Sequence, residues 1–337
     1  MTGKTAMTVD RVSERAGGRR RRTVKRPPTI SIVGAGRLGT ALARALAAKR
    51  YRVEAVVAGT KLHASKAADL LGRRPLALAS TQLEQLPSSD ILIITTPDDR
   101  IGEIATRLAA IFERDDRKVK GRGADKVNRG RTVIHASGAL SSAILRPMRA
   151  AGFGTGSMHP LVSVSDSLQG AESLCTAYFC VEGTPSAVRV MRGLIHSLGA
   201  QSFSISADNK ALYHAAAVMA SGHTTALFDI AVEMFTRCGL TARRARSVLL
   251  PLLKTTFENL YANEPSRALT GTFARADTTT VAKHLKALSS PGMRDALAVY
   301  ALLGRRSLGL AEMAGARPES VKEIAGMLEE TGTLENE

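Results

Sequence analysis

Lys210 and His214 lie four residues apart in an apolar segment, a spacing that places both side chains on one face of a helix. Ser221, Thr224 and Thr225 continue the same polar stripe. Such a stripe suits carbonyl or imine reduction, which needs a proton donor and an oxyanion partner beside the hydride. A lysine near a helix start and a satisfied core histidine explain the spacing equally well, so periodicity alone leaves both interpretations open.

Two other segments contain candidate site residues. His159 stands in Ser157–Leu161, a predicted strand that ends at the ligand edge of its sheet. Arg275 and Asp277 follow a glycine-containing loop that opens a helix, where Arg275 could clamp a substrate carboxylate. An N-cap role for Asp277 and a surface position for Arg275 agree with the spacing just as well.

A glycine-rich turn provides the element that would hold a cofactor beside these groups. It follows the predicted strand Thr29–Val33 and precedes an alanine-rich helical pattern; its residues are Gly34, Ala35, Gly36, Arg37, Leu38 and Gly39. The first glycine would allow the tight turn, the second would let backbone approach a pyrophosphate, and the third would let helix pack on strand. This order predicts a dinucleotide site, and a turn kept for packing alone is the alternative.

The second predicted strand, Val53–Ala58, ends without the acidic residue that would accept bonds from an adenosine ribose. Thr60 and Lys61 occupy that place, and Arg37 lies on the glycine turn. A hydroxyl and two cations favour a 2′-phosphate, so the sequence predicts NADP rather than NAD. An ordinary surface lysine at position 61 is the alternative.

The remaining pattern predicts an α/β fold, with a doubly wound, mainly parallel sheet over residues 29–207, followed by an all-helical domain over 208–331. Its first helix, at Asn209–Cys238, is apolar enough to be buried between domains or in a dimer interface. Residues 113–131 are charged and unperiodic, which indicates a surface insertion. The predicted strands are Thr29–Val33, Val53–Ala58, Ile91–Thr96, Thr132–Ala136, Ser157–Leu161, Tyr178–Val181 and Ser202–Ile205. The predicted helices of the α/β part are Leu38–Lys49, Ala64–Leu71, Ile101–Phe112 and Pro185–Leu198.

The strand at Ile91–Thr96 leads into Pro97, Asp98 and Asp99. Loops at this point of a dinucleotide fold line the cofactor crevice, so Thr96 and Pro97 are predicted cofactor contacts. For Asp98 or Asp99, a cap on the following helix is the favoured role.

The net charge of +17 is concentrated in two segments. Residues 1–28 carry nine Lys and Arg against two acids, and residues 113–131 carry eight against four. The first is predicted to be a solvated, disordered tail, because no aromatic or helical recognition element accompanies it. Contact with nucleic acid or acidic lipid is the alternative for that tail.

Other features of the composition predict a cytoplasmic protein. No apolar run approaches the ~20 residues of a membrane span, and no signal-peptide pattern opens the chain. Three cysteines, at 175, 180 and 238, show no metal-ligand spacing, which favours reduced thiols and no metal. Aromatic residues make up 4% of the chain and Trp is absent, which argues against base-stacking surfaces.

Six motifs follow one another along the chain: Gly34–Gly39, Pro97-Asp98, His135–Gly138, His159–Leu161, Lys210 with Tyr213–Ala216, and Leu269–Gly271 with Arg275 and Asp277. Over residues 28–330 they resemble a bacterial family that joins a Rossmann-like N-terminal domain to a helical domain of unknown function. That family is related to the 6-phosphogluconate dehydrogenase-like superfamily, which includes ketopantoate reductase and pyrroline-5-carboxylate reductase.

The resemblance implies roles for several residues. In relatives whose catalysis is understood, a Lys-x-x-x-Asn pair opens the equivalent helix and handles the substrate oxygen; Lys210 matches that lysine, and His214 stands at the Asn position. Ser137 and Gly138 would lie near the nicotinamide, and His159 near the substrate. The predicted substrate contacts are Ser137, Gly138, Ser221, Arg275 and Asp277.

The chain departs from the family pattern at Gly222, Thr272 and Ala276, where the family usually has Asn, Pro and Gly. Residue pattern and resemblance together predict an NADP-dependent oxidoreductase that reduces a small carbonyl or imine acid, with a 2-oxo acid such as ketopantoate as the first class to try. A homodimer through the helical domain is expected. The three departures favour the alternative, a non-catalytic NADP-binding sensor or scaffold.

Overall fold

A computed structural model describes residues 27–119, 128 and 130–333. The chain forms two compact units, Met1–Val218 and Met219–Glu337. An eight-stranded sheet of order β3-β2-β1-β4-β5-β6-β7-β8 runs through the first unit. The strands are β1 Thr29–Val33, β2 Arg52–Ala58, β3 Leu76–Ala79, β4 Ile91–Ile94, β5 Thr132–His135, β6 Gly154–Leu161, β7 Tyr178–Gly183 and β8 Gln201–Phe203.

Helices cover both faces of this sheet, which is why the central strands β1, β4 and β5 are buried along their whole length. The helices of the first unit are α1 Arg37–Ala48, α2 Lys61–Asp69, α3 Asp98–Val119, α4 Arg146–Ala150, α5 Ser167–Ser173, α6 Pro185–Leu198 and α7 Lys210–Val218. One apolar cluster joins the sheet to α1 and α6, and a second joins it to α3 and α4. The predicted α/β fold class is confirmed.

The sheet differs from the prediction in two places. β3, with the sequence Leu-Ala-Leu-Ala, was not predicted, because it lacks the β-branched and aromatic residues that mark strands. β6 and β7 pair antiparallel, with His159 opposite Cys180, whereas β1 to β6 run parallel. β7 runs in the opposite direction to β6 because the connection between them re-enters the sheet at the same end at which β6 leaves it.

Two charged segments were predicted to lie outside the core. α3 continues to Val119, so residues 113–119 are helical and the predicted insertion over 113–131 begins too early. Strong helix formers such as Glu, Arg and Lys allow this extension. Most of the rest of that insertion, and residues 1–26 of the basic tail, lie outside the described residues.

The second unit is helical throughout its described residues, as predicted. Its helices are α8 Thr224–Arg237, α9 Ala242–Ala262, α10 Pro265–Ala268, α11 Gly271–Ala274, α12 Thr278–Leu288, α13 Arg294–Met313 and α14 Pro318–Thr333. The boundary between the compact units falls at 218/219, after α7, whereas the sequence placed it at 207/208. The reason is that Lys210, the first residue of α7, is buried in the sheet unit at 1% exposure.

The long helix predicted at Asn209–Cys238 is interrupted. A π-helical turn at Met219–His223 separates α7 from α8. Val232 is the sole buried residue of α8 in the described structure, and burial of this helix in a dimer interface stays a prediction. By length and composition Ala207–Arg237 is apolar enough to cross a membrane, which for a single helix is weak evidence.

Candidate functional site: a glycine turn and a histidine cluster

The glycine turn between β1 and α1 has the geometry that its sequence predicts. Gly34 and Ala35 both donate their N–H groups to the Val57 carbonyl, at 2.9 and 2.8 Å. Gly34 has φ +112°, and a Cβ there would lie 2.6 Å from the backbone of Thr95. A Cβ on Gly39 would overlap the Gly34 carbonyl oxygen. The first and third glycines are therefore required by the fold itself.

Gly36 has a different reason to be glycine. A Cβ on Gly36 would meet nothing within 4 Å, so packing does not exclude a side chain. Gly36 caps α1 without a side-chain hydrogen bond, and the first turn of α1 holds no acidic residue. The N-terminal N–H groups of α1 are thus left without a capping side chain and suit a phosphate. These features fit the pyrophosphate of a dinucleotide.

A cavity of about 600 Å³ lies against this turn, at the carboxyl ends of β1, β2 and β4. Its lining includes five of the predicted cofactor residues: Gly34, Ala35, Gly36, Thr96 and Pro97. The other five predicted residues do not line it: Arg37, Leu38, Gly39, Thr60 and Lys61. Leu38 packs against the core and Gly39 is buried, as members of α1.

On the adenosine side of the cavity, the Thr60 hydroxyl accepts the His63 N–H at 3.3 Å and so caps α2. Arg37 and Lys61 are exposed, and their contact with a 2′-phosphate stays a prediction. Four further residues line the cavity and were not predicted: His63, Ser80, Arg100 and Arg107. The signal for two of them was the spacing of Arg100, Ile104 and Arg107, which share one face of α3.

The loop after β5 is fixed from several sides. The Ser137 hydroxyl donates to Asp98 Oδ2 at 2.7 Å and accepts the Leu140 N–H at 3.0 Å. The Ser137 N–H donates to His135 Nδ1 at 3.2 Å, and Lys210 Nζ donates to the Ser137 carbonyl at 3.2 Å. Asp98 follows Pro97 of the cavity, so this loop adjoins the predicted cofactor site.

Two histidines flank Gly138. A methyl group on Gly138 would overlap His214 Nδ1 and would lie 2.9 Å from the His159 ring. The two rings are 5.5 Å apart, edge to face. His214 Nδ1 is buried and has no hydrogen-bond partner in the described structure, whereas His159 Nδ1 lies 2.7 Å from the Tyr213 hydroxyl. The structure therefore brings together three predicted residues around one unsatisfied nitrogen.

The hydrogen bond between Tyr213 and His159 can run in either direction, because a hydroxyl both donates and accepts. Burial raises the pKa of Tyr213, so this hydroxyl has a proton to donate. When the hydroxyl donates to Nδ1, the ring proton of His159 is left on Nε2, the side near Gly138. Burial, with Lys210 and His214 nearby, lowers the pKa of His159 to about 4, so the ring is neutral at pH 7.

Lys210 lies close to His159 and to Tyr213. Its Nζ donates to Ser157 Oγ at 2.9 Å as well as to the Ser137 carbonyl, and lies 5.5 Å from the centre of the Tyr213 ring. Burial lowers the pKa of Lys210. Burial also raises the pKa of the neighbouring Cys180 thiol. The amine is thus enclosed by protein groups, and its hydrogen bond to the Ser137 carbonyl helps to fix the loop after β5.

Acidification is expected to destabilise the sheet unit. Burial lowers the pKa of His135 to about 4, as it does for His159, from an ordinary value of 6.5. An unfolded histidine binds its proton near pH ~6.5, so the unfolded chain binds more protons between about pH 6.5 and 4. The free energy of unfolding should be fully retained above that window and fall as the pH drops through it.

Urea unfolding at about pH 7.5 and about pH 5 measures this difference. His135→Asn should flatten the pH dependence even if it lowers stability at neutral pH. A free energy of unfolding that stays constant or rises on acidification would contradict the burial of two neutral histidines.

Three predicted substrate residues lie in the helical unit. Asp277 caps α12, with Oδ1 accepting the Thr280 N–H at 3.0 Å and Oδ2 accepting the Thr280 hydroxyl at 2.7 Å. Arg275 is exposed, and Ser221 lies in the π-helical turn. Ala276 between the first two has φ +46°, a conformation that suits the glycine of the family pattern better. The observed contacts of Asp277 are therefore those of a helix N-cap.

Metal ligation finds no support in the described part of the chain. Its His, Cys, Asp and Glu side chains form no group of three or more that could hold an ion. All three cysteines are free thiols.

Fold and glycine turn together define a Rossmann-like α/β unit followed by a helical unit. The family model for a Rossmann-like domain matches residues 21–160, and the model for the domain of unknown function DUF2520 matches residues 177–307. Both matches agree with the resemblance seen in the motifs, which is a resemblance to a Rossmann-like domain joined to a helical domain of unknown function. A comparison with curated proteins gives no significant match.

Solved structures share this fold. A Bacteroides fragilis protein, provisionally described as an NADP oxidoreductase, is 20% identical with a TM-score of 0.64, covering 84% of this chain and 98% of its own. A Thermotoga maritima protein is 21% identical with a TM-score of 0.62, covering 85% and 99%. Plasmodium falciparum pyrroline carboxylate reductase, solved with NADP bound, is 12% identical with a TM-score of 0.50, covering 90% and 98%.

Proposed function

We propose that this protein is an NADP-dependent oxidoreductase that reduces a small carbonyl or imine acid. The observation that carries the proposal is the junction at Pro97-Asp98. Pro97 lines the cavity on the glycine turn, and Asp98 holds Ser137 beside the histidine cluster. A cofactor site and a group of proton-bearing side chains thus adjoin at the carboxyl edge of one sheet, where ligands bind in such folds.

The cofactor half of the proposal rests on the turn and on charge. The uncapped N-terminus of α1 would hold the pyrophosphate, and Gly36 leaves room for it. β2 ends without an acid, and the two helices that follow β1 and β2 begin with exposed cations, Arg37 and Lys61. This arrangement, together with the NADP bound by the Plasmodium reductase, supports NADP over NAD.

NADPH supplies the hydride when bound. His214 Nδ1, buried and without a partner in the described structure, would donate a hydrogen bond to the substrate oxygen or nitrogen. His159 Nε2, on the same side of Gly138, would be the second donor. Lys210 has a positioning role here, because its amine already donates to Ser137 and Ser157.

The direct test is NADPH oxidation, followed by absorbance, against a panel of 2-oxo acids and cyclic imino acids. Turnover of at least one acid, with NADPH preferred over NADH, is expected. Lys210→Met should lower kcat because the Ser137 carbonyl loses its donor. NADPH binding without turnover of any acid would favour a non-catalytic sensor or scaffold instead. The departures at Gly222, Thr272 and Ala276 support that alternative. If the protein binds neither NADPH nor NADH, both the oxidoreductase and the sensor or scaffold are overturned.

We also propose a homodimer formed through the helical unit. Most of the large apolar side chains that are exposed in the described residues lie in this smaller unit. Examples are Leu252 at 63% exposure, Tyr261 at 97% and Met313 at 78%. A helical unit with this many exposed apolar side chains offers surface that a second copy could cover. Light scattering after gel filtration should give twice the mass of 35.7 kDa, and a monomer at micromolar concentration would contradict the proposal.

The free thiols at 175, 180 and 238 suit a reducing compartment, so the proposed reaction is assigned to the cytoplasm.

A further inference from the structure

A second cavity, of about 700 Å³, opens at the other end of β2. The predicted cofactor cavity is lined by Val57, Ala58 and Gly59 at the end of this strand, whereas the second is lined by Arg52 and Val53 at its start. The two cavities therefore lie at opposite edges of the sheet. The second, here called the arginine cavity, is formed by the ends of α1 and α2, the turn between α1 and β2, and the start of β2.

Four arginines line the arginine cavity: Arg44, Arg50, Arg52 and Arg73. Arg44 Nε is buried and has no hydrogen-bond partner in the described structure, although Nη1 of the same side chain donates to the Leu70 carbonyl at 3.3 Å. A buried donor left unpaired costs free energy, which a bound acceptor would recover. This nitrogen is the clearest sign that the cavity takes a ligand.

The acids around the arginine cavity neutralise little of its charge. Glu54 lies 3.7 Å from Arg52 and also accepts the Ser89 hydroxyl. Asp69 is paired with Arg74, which does not line the cavity. Asp166 is exposed, accepts the N–H groups of Leu168 and Gln169 in its own helix, and interacts with Arg44 through charge alone. Arg50 and Arg73 are exposed.

The ends of α1 and α2 account for the backbone here. A cation near a helix C-terminus interacts favourably with the last carbonyls, and Arg44 makes such a contact with Leu70. Arg50 has φ +66° because it follows α1 in a C-terminal turn, in which its N–H donates to the Ala47 carbonyl at 2.9 Å and the Tyr51 N–H donates to the Leu46 carbonyl at 3.1 Å. The guanidinium of Arg50 makes no hydrogen bond or ion pair in the described structure, so its charge in the cavity is not neutralised.

The walls between the arginines are apolar. They consist of Ala47, Ala48, Tyr51, Val53, Leu70 and Leu71. We propose that the arginine cavity binds a compact phosphorylated organic anion. Its phosphate groups would pair with Arg44, Arg50 and Arg73, and its organic part would lie on these walls. A concave site of this size suits a small ligand better than the long groove that a nucleic acid strand occupies.

The test is calorimetric titration with ADP and with inorganic pyrophosphate. It is done in the Gly36→Asp background, where a carboxylate on the glycine turn repels phosphate from the other cavity. Both probes should bind, with ADP tighter than pyrophosphate because it also covers apolar wall. The double change Arg50→Gly with Arg73→Gln should weaken both at least tenfold, because two of the three guanidinium groups that would pair with phosphate are lost.

The matched control is Arg74→Gln, which removes the same charge from the neighbouring position and should leave both affinities within twofold. Arg50→Gly relieves a positive φ, so lost binding cannot be attributed to unfolding. The absence of binding heat with both probes would overturn the proposal, as would equal weakening by the control. Binding of a fluorescent oligonucleotide at concentrations where neither probe binds would also overturn it, in favour of a nucleic-acid surface.

Discussion

Changing His214 to alanine is expected to lower kcat about 100-fold while leaving the dissociation constant of NADPH unchanged, because one hydrogen-bond donor to the developing charge contributes about 10²–10³ to kcat. His214 Nδ1 is the buried nitrogen beside Gly138 that has no partner in the described structure, and the ring does not line the predicted cofactor cavity. The measurement is steady-state NADPH oxidation with the acid selected by the panel, with nucleotide affinity followed by fluorescence.

His214→Asn is the matched control. The resemblance places asparagine at this position in relatives that handle a substrate oxygen, and an amide retains a hydrogen-bond donor. Most of the activity should therefore return in His214→Asn but not in His214→Ala. Equal activity of the alanine variant and the natural protein would remove His214 from the reaction. Equal loss in both variants would assign the ring to packing.

Gly36→Asp is expected to weaken NADPH binding more than 100-fold with a change in unfolding free energy below about 1 kcal/mol. A side chain on Gly36 meets nothing within 4 Å, so the fold accommodates it, whereas its charge would stand where the pyrophosphate is expected. Gly39→Ala should behave in the opposite way, because its methyl group overlaps the Gly34 carbonyl oxygen. Urea unfolding and NADPH titration of both variants separate the two effects.

A Gly36→Asp variant that binds NADPH with normal affinity would show that the turn does not hold the pyrophosphate. A Gly39→Ala variant as stable as the natural protein would show that α1 can move away from β1, contrary to the close packing of Gly39 on Gly34.

The glycine turn could be predicted because strand, turn and helix follow one another within about a dozen residues. The surroundings of Lys210 could not, since its acceptors lie 73 and 53 residues earlier in the chain. Periodicity showed that Lys210 and His214 share a helix face, but not that the first would be enclosed and the second left without a partner. That difference depends on where the Ser137 loop passes, which is a property of the sheet.

The exposure of α8 has a similar explanation. Its sequence is apolar, and the prediction of burial left open whether another part of the chain or a second copy would cover it. Hydropathy gives the need for a partner surface without saying which molecule supplies it. The arginine cavity was also beyond the sequence, because Arg44, Arg52 and Arg73 come from three separate elements. The charged residues at 19–22 and 113–131 could be recognised from the sequence, because they follow one another along the chain.

The reversed direction of β7 has a consequence for the geometry of His159. His159 pairs with Cys180 inside the sheet, so the histidine is supported by strand register rather than by a loop. Residues 162–177, with α5, join the two strands at the edge where β6 ends. Leu174 of that connection is fully buried in the core shared with α1, so the connection is packed as well as linked. A slip of one residue between β6 and β7 would turn His159 to the opposite face of the sheet, so the geometry of this histidine depends on the register of the one antiparallel strand pair in the described sheet.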